Sequence, residues 1–246
     1  MRVGIGMAKI LLSRKPGKRN GRSVLKCTFV YVSSPMKVEN FMTRVRRLPH
    51  KGKHLIGQTD GTNILVYQAF SPQISAYALE HQHFGGPDYD FSRMSWITPG
   101  FLWTTNRSAW ASKEGQEHIL AITLPLIHFY TLLQEGIVSA YDETLYPTRE
   151  EWKERQAESE VYLQWDPDHD PFGNEEQRRC LQVGIRRGML HTFCTQWIRK
   201  IEDVTPLVKA EYPKVAIHDI MYLNVPYEEV IPLADPELVR RTGLNH

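Results

Sequence analysis

Three of the chain's six tryptophans, Trp96, Trp103 and Trp110, fall within residues 93–110, together with Arg93, Arg107 and the breaker pair Pro99-Gly100. Indoles are large enough to dominate whatever core they enter, so this stretch must lie in or against the interior. An arginine inside such a segment has to be given a partner, because an unpaired buried charge is very costly. Arg107 is therefore either a structural strut, paired with Glu117 or a nearby aspartate, or a group that waits for an anionic ligand. The sequence leaves both open.

At 246 residues, with 41% hydrophobic and 11% aromatic residues, the chain suffices for one domain with a full core. It contains no apolar run of about 18 residues that would span a bilayer. The three cysteines, Cys27, Cys180 and Cys194, are too few and scattered for a disulfide framework or a zinc site. They point to a reducing compartment, cytoplasmic or nuclear. The net charge of +2 hides a split: residues 1–53 hold 14 of the 30 Lys/Arg but one acidic residue, Glu39. That start reads as a basic arm for nucleic acid, a membrane surface or an import receptor, or as a disordered extension. Its Arg-rich, acid-poor character also fits a mitochondrial presequence, although Pro16, Gly17 and Gly21 break any helix early.

The ordered domain is expected over residues 54–212, followed by a proline-rich tail at 213–246. Residues 62–70 read as a strand. Ser71-Pro72 caps a helix over 73–83, which Gly85-Gly86-Pro87 ends. Thr98-Pro99 repeats the device before a short helix over 100–110. A strand at 117–124 leads into a helix at 125–134, with Leu126, Phe129, Tyr130 and Leu133 on one face. Thr148 and Glu151 form a capping box. Strands follow at 161–165 and 180–185, then a helix over 188–201 and a short helix near 206–211. Strands and helices intersperse without regular βα alternation. That predicts an α+β fold: a mostly antiparallel sheet flanked by helices, in a single domain.

Several blocks carry a resemblance: residues 66–72 (VYQAFSP), 94–103 (MSWITPGFLW), 107–110 (RSAW), 164–167 (QWDP) and 203–205 (DVT), in this order. Over about residues 54–210 the chain resembles the family catalogued as domain of unknown function 4291. The resemblance implies a stand-alone soluble domain and carries no established activity. The chain departs from that pattern at Thr98, where the family favours lysine, and at Asn106, where it favours an aromatic. A site that used the lysine for an anionic ligand would here lean on Arg93 and Arg107.

The candidate binding residues are Tyr67, Gln68, Arg93, Trp96 and Arg107, joined by Gln164 and Gln182 from later strands. Arginine offers a forked donor to phosphate or carboxylate, and Trp96 or Trp103 a stacking surface. Tyr67 and Gln68 alternate across a strand, so one faces the core and the other a surface or cleft. Glu117 or Asp166 would stabilise developing positive charge or act as general base. Asp166, Asp168 and Asp170, alternating at a strand end, suit Mg²⁺ or Ca²⁺; the competing reading is an acidic turn that caps Arg178 or Arg179. Arg178, Arg179, Arg186 and Arg187 would form a small basic rim or pair with carboxylates. His81 and His83, at a helix end, do not converge as ligands. P-loop, Gly-x-Ser-x-Gly and Gly-x-Gly-x-x-Gly signatures are lacking.

Two functions follow. One is an enzyme on a nucleotide-like or NAD-like substrate, of the transferase class, with NAD or Mg as candidate cofactor. The other is a non-catalytic nucleic-acid- or protein-binding domain that works through the basic arm.

Overall fold

The computed structural model describes residues 36–244. In chain order the elements are β1 (Val38–Asn40), α1 (Phe41–Arg47), β2 (Gly52–Lys53), β3 (Ile56–Gly57), β4 (Asn63–Phe70), α2 (Pro72–His81), β5 (Ser95–Ile97), α3 (Phe101–Arg107), β6 (His118–Pro125) and α4 (Leu126–Glu135). They continue with β7 (Ile137–Val138), α5 (Arg149–Glu158), β8 (Val161–His169), β9 (Glu175–Ile185), α6 (Arg187–Thr192), β10 (Lys200–Asp203), α7 (Thr205–Ala216), β11 (Asn224–Pro226), β12 (Glu229–Val230) and α8 (Pro236–Thr242). The architecture is α+β.

Two sheets carry the fold. One has the order β10-β6-β4, all antiparallel. In the other, β9 pairs antiparallel with β8 and β5, while β2 and β7 add short parallel contacts. One bridge stitches them together. Tyr67 and Thr98 exchange both backbone hydrogen bonds, at 2.6 and 3.2 Å. The result is a continuous surface running β10-β6-β4-β5-β9-β8.

Side-chain alternation gives that surface two faces. Ile64 and Val66 of β4, Ile97 of β5, Leu120, Ile122 and Leu124 of β6, Leu163 of β8, and Leu181, Val183 and Ile185 of β9 share one core with Ala78 of α2, Phe129 and Leu133 of α4 and Leu190 of α6. Two caps are those the sequence encodes: Ser71 accepts from Ile74 N–H, and Thr148 from Glu151 N–H. The third is not, because α3 begins at Phe101 with Gly100 as its cap residue, and Thr98 Oγ1 accepts the Gly100 N–H ahead of the helix.

Three differences from the sequence reading have local causes. The helix expected over 188–201 stops at Thr192, turns once as a π-helix (Phe193–Trp197), and releases Lys200–Asp203 to pair with β6. The apolar stripe is real, but Ile201 reaches the core from a strand. Second, α3 ends at Arg107, and Ala109, Trp110 and Ala111 follow with φ of 48°, 55° and 62°. This left-handed turn is held by Ser108, whose hydroxyl donates to the Thr104 and Thr105 carbonyls and accepts from Ala111 N–H. Third, β8 runs past residue 165 to His169 and closes a hairpin on β9.

Elements outside the expected span of residues 54–212 join the fold. β1 pairs with β11, and β12 with β3. The basic residues 1–35 lie outside the described residues.

A buried ion cluster fastens these outer segments. Arg44 of α1 donates through Nε and Nη2 to Glu228, at 2.9 and 2.7 Å. The other Glu228 oxygen accepts the Phe101 N–H that opens α3. Arg178 donates to Asp168 and to the Pro49 carbonyl, and pairs with Glu176. Burial pushes the Glu228 carboxyl up, against the pull of Arg44 and the Phe101 N–H. Removing one member of such a pair leaves the other buried and unpaired, at about 3–5 kcal/mol. Arg44→Met is therefore expected to cost about that much in urea unfolding, and Arg44→Met with Glu228→Met to cost less than Arg44→Met alone. A double variant that loses the sum of the two single losses refutes the coupling.

Candidate functional site

The sheet face opposite the core is apolar over β6, where Ile119 and Ala121 are buried, and turns polar over β5, β9 and β8. Gln164 of β8 pairs with Gln182 of β9, and Trp96 of β5 with Gly184. One further step of the β5–β9 register sets Thr98 beside Gln182, and Thr98 is bridged to Tyr67. Tyr67, Thr98, Gln182 and Gln164 thus form one row across four strands, spanning about 14 Å at roughly 4.8 Å per strand. Asp166 and Cys180, a pair two residues along, flank the row on one side. Trp96, Gly184 and Tyr162 flank it on the other.

Two buried members of this row lack partners. Tyr67 is 0% exposed and Gln182 2% exposed, yet Tyr67 Oη and Gln182 Oε1 have no hydrogen bond. The remaining amide atom, Gln182 Nε2, meets only Cys180 Sγ at 3.9 Å. Turning the amide over exchanges its two atoms but still leaves one orphaned. Such atoms are rare in folded proteins and cost about 1–3 kcal/mol each. Burial, with Glu228 nearby, pushes the Tyr67 hydroxyl well up, so it stays protonated and can donate.

The neighbours are committed. Gln164 Nε2 donates to both Asp166 oxygens, at 2.8 and 3.1 Å. Thr98 Oγ1 accepts from Gly100 N–H at 3.0 Å and lies 3.3 Å from Cys180 Sγ. Phe101 of α3 meets the Tyr67 ring edge-on at 5.4 Å, so α3 roofs this end of the row. On the flank away from Cys180 a Cβ on Gly184 would meet the Trp96 ring at 2.9 Å and Met94 Sδ at 2.7 Å. Glycine lets the half-buried indole rest on the sheet.

The structure thus gathers five expected residues, Tyr67, Trp96, Gln164, Asp166 and Gln182. It separates the others. Gln68 points to the opposite face, where it donates to Ser95 Oγ at 2.6 Å beside Tyr89 and Cys194. Arg93 is exposed next to Met94, at the Trp96 end. Arg107 is exposed at the far end of α3, with no ion pair to Glu117 or an aspartate. Its neighbour Asn106 donates to the Asp170 carbonyl at the β8–β9 turn, about 25 Å along β8 from Tyr162 at roughly 3.3 Å per residue. Arg107 and Trp96 therefore do not face one ligand pocket of nucleobase size. Glu117 precedes β6, four strands from β8, or about 19 Å. Its Oε1 accepts Gly115 N–H.

The expected metal trio is not assembled, because its members turn to different partners. Asp166 takes Gln164, Asp168 takes Arg178 and the His169 N–H, and Asp170 accepts from Phe172 and Asn174 N–H to shape the turn. Among the described residues no group of three or more His, Cys, Asp or Glu is placed to hold a metal ion. The basic rim also dissolves. Arg178 is buried in the ion cluster, and Arg186 donates to the Gln156, Ala157 and Ser159 carbonyls at the end of α5. His81 and His83 each engage a backbone carbonyl through Nδ1.

Sequence reasoning missed Thr98 as the centre of the row, and Gly184 as the seat of Trp96. A glycine inside an apolar strand is the signal that could have found the second. Arg44 and Glu228, 184 positions apart, leave no local signal.

An α+β domain with one polar, partly roofed sheet face is the class these features define. The family profile described as "Domain of unknown function (DUF4291)" matches residues 54–230, and the chain belongs to that family. The match extends past residue 210 to include Glu228. No curated protein matches the chain. No helix among the described residues is long and apolar enough to cross a membrane.

The two described cysteines are buried, and both are free. Burial pushes Cys194 up to about 12, despite the hydrogen bond with Tyr89. It pushes Cys180 well up too, with Asp168 adding to the effect. Since the thiolate is the reactive form, a Cys27→Ser variant at pH 8 is expected to react with Ellman's reagent only after denaturant is added. Fast reaction of either thiol in the native protein contradicts this geometry.

Proposed function

We propose that the polar face binds a nucleotide-like small molecule and that the domain is an enzyme of the transferase class. One observation carries this reading: two buried, unpartnered polar atoms, Tyr67 Oη and Gln182 Oε1, stand on one row next to a half-buried tryptophan. A planar heterocycle with hydrogen-bonding edges would offset both deficits and stack on Trp96. Asp166 supplies the carboxylate. In transfer from an NAD-type donor, the bond from the ribose carbon to the ring nitrogen breaks as a nucleophile adds to that carbon. Positive charge grows on the sugar, where a fixed carboxylate is most effective. Gln164 holds Asp166 in place through both oxygens. Because Arg107 stands at the distant end of α3, Arg93 is the arginine better placed for the ligand's phosphate.

Differential scanning fluorimetry with AMP, ATP and NAD tests this. At a hundredfold excess over Kd, one site adds about 2.7 kcal/mol of stability. Trp96→Ala and Gly184→Ala, which removes the seat of the indole, are both expected to abolish the gain. If no nucleotide raises the melting temperature, the reading fails.

A further inference from the structure

Resting on that reading, the chemistry of the row says which end of the ligand it takes. A phosphate end needs cations. Tyr67, Thr98, Gln182 and Gln164 are neutral; Glu228, near Tyr67, is already paired with Arg44, and the carboxylate on the flank of the row with no cation against it is Asp166. A phosphate here would be repelled by Asp166 with no lysine or arginine in the row to offset it. The row therefore takes the ring end. A ring with its own positive charge gains twice, from the Asp166 carboxylate and from the indole face of Trp96. The Gln182 side chain asks for something more specific. It presents an acceptor and a donor side by side with no good partner for either, and an amide complements an amide by exchanging two hydrogen bonds. The Tyr67 hydroxyl, protonated and orphaned, offers a third contact on the same row.

We propose that this row reads a cationic pyridinium ring bearing a carboxamide, so that the site distinguishes oxidised from reduced nicotinamide and a carboxamide from a carboxylate. Gln182 is the residue that reads the carboxamide, and Asp166 with Trp96 the pair that reads the ring charge.

The test is isothermal titration of the full chain with four mononucleotides: nicotinamide mononucleotide, its reduced form, nicotinic acid mononucleotide and AMP. Nicotinamide mononucleotide is expected to bind tightest. The nicotinic acid form should bind at least tenfold more weakly, because its carboxylate cannot donate to Gln182 Oε1 and meets Asp166. The reduced form, uncharged in the ring, should bind several-fold more weakly. Gln182→Leu should erase the carboxamide preference without lowering the melting temperature, since it removes an unpartnered buried amide, and Asp166→Asn should erase the redox preference. Equal affinity for the carboxamide and the carboxylate in the unaltered protein overturns the proposal, whatever the variants do. Tighter binding of AMP, lost in Trp96→Ala, overturns it while leaving the nucleotide site standing. If none of the four binds, both readings fall.

Discussion

A single residue pair, Tyr67 with Thr98, turns two sheets into one surface. On one side of that junction lie β10, β6 and β4, and on the other β5, β9, β8 and β7. Strand β5 could reach β9 without the junction, but the polar row could not exist. Tyr67 would have no fixed relation to Gln182, and α3, which follows Thr98 by way of Pro99 and Gly100, would have no fixed start. Gly100 itself is required there, since any side chain at that position would collide with Cys180 Sγ.

The junction is held in place by charge. Arg44 and Glu228 join the first helix and the last strands to the N-terminus of α3, and the β8–β9 hairpin reaches the same region through Arg178 to the Pro49 carbonyl and Asp168 to Arg44. These groups give up water and regain it as short, charge-assisted contacts. The cluster lies under the roof of the row, close enough for Glu228 to act on the Tyr67 hydroxyl. Fastening and candidate site are therefore parts of one electrostatic unit.

Much of the fold could be read from the chain because its signals are local. Ser71-Pro72, Thr148 with Glu151, and the stripe of α4 each specify an element within a few residues. The face of a strand is equally legible: alternation alone says that Tyr67 and Gln68 part company, though not which one meets the core. What failed was long-range. The 188–201 stripe is compatible with one helix, and only pairing with β6 pulls Lys200–Asp203 into a strand. The spacing of Asp166, Asp168 and Asp170 resembles a ligand set, yet Arg178, Gln164 and Asn174 claim the three carboxylates separately. Arg107 looked expensive to bury, but α3 ends before burying it, so the cost never arises.

The turn at Ala109, Trp110 and Ala111 bears on motion. An L-residue in the left-handed region costs about 1–2 kcal/mol, and here three stand in succession. Trp110 against Tyr212 and the hydroxyl of Ser108 hold them there. Trp110 and Ala111 are themselves buried, so the seven-residue helix above Tyr67 is pinned at both ends, by Glu228 at Phe101 and by this packed turn after Arg107.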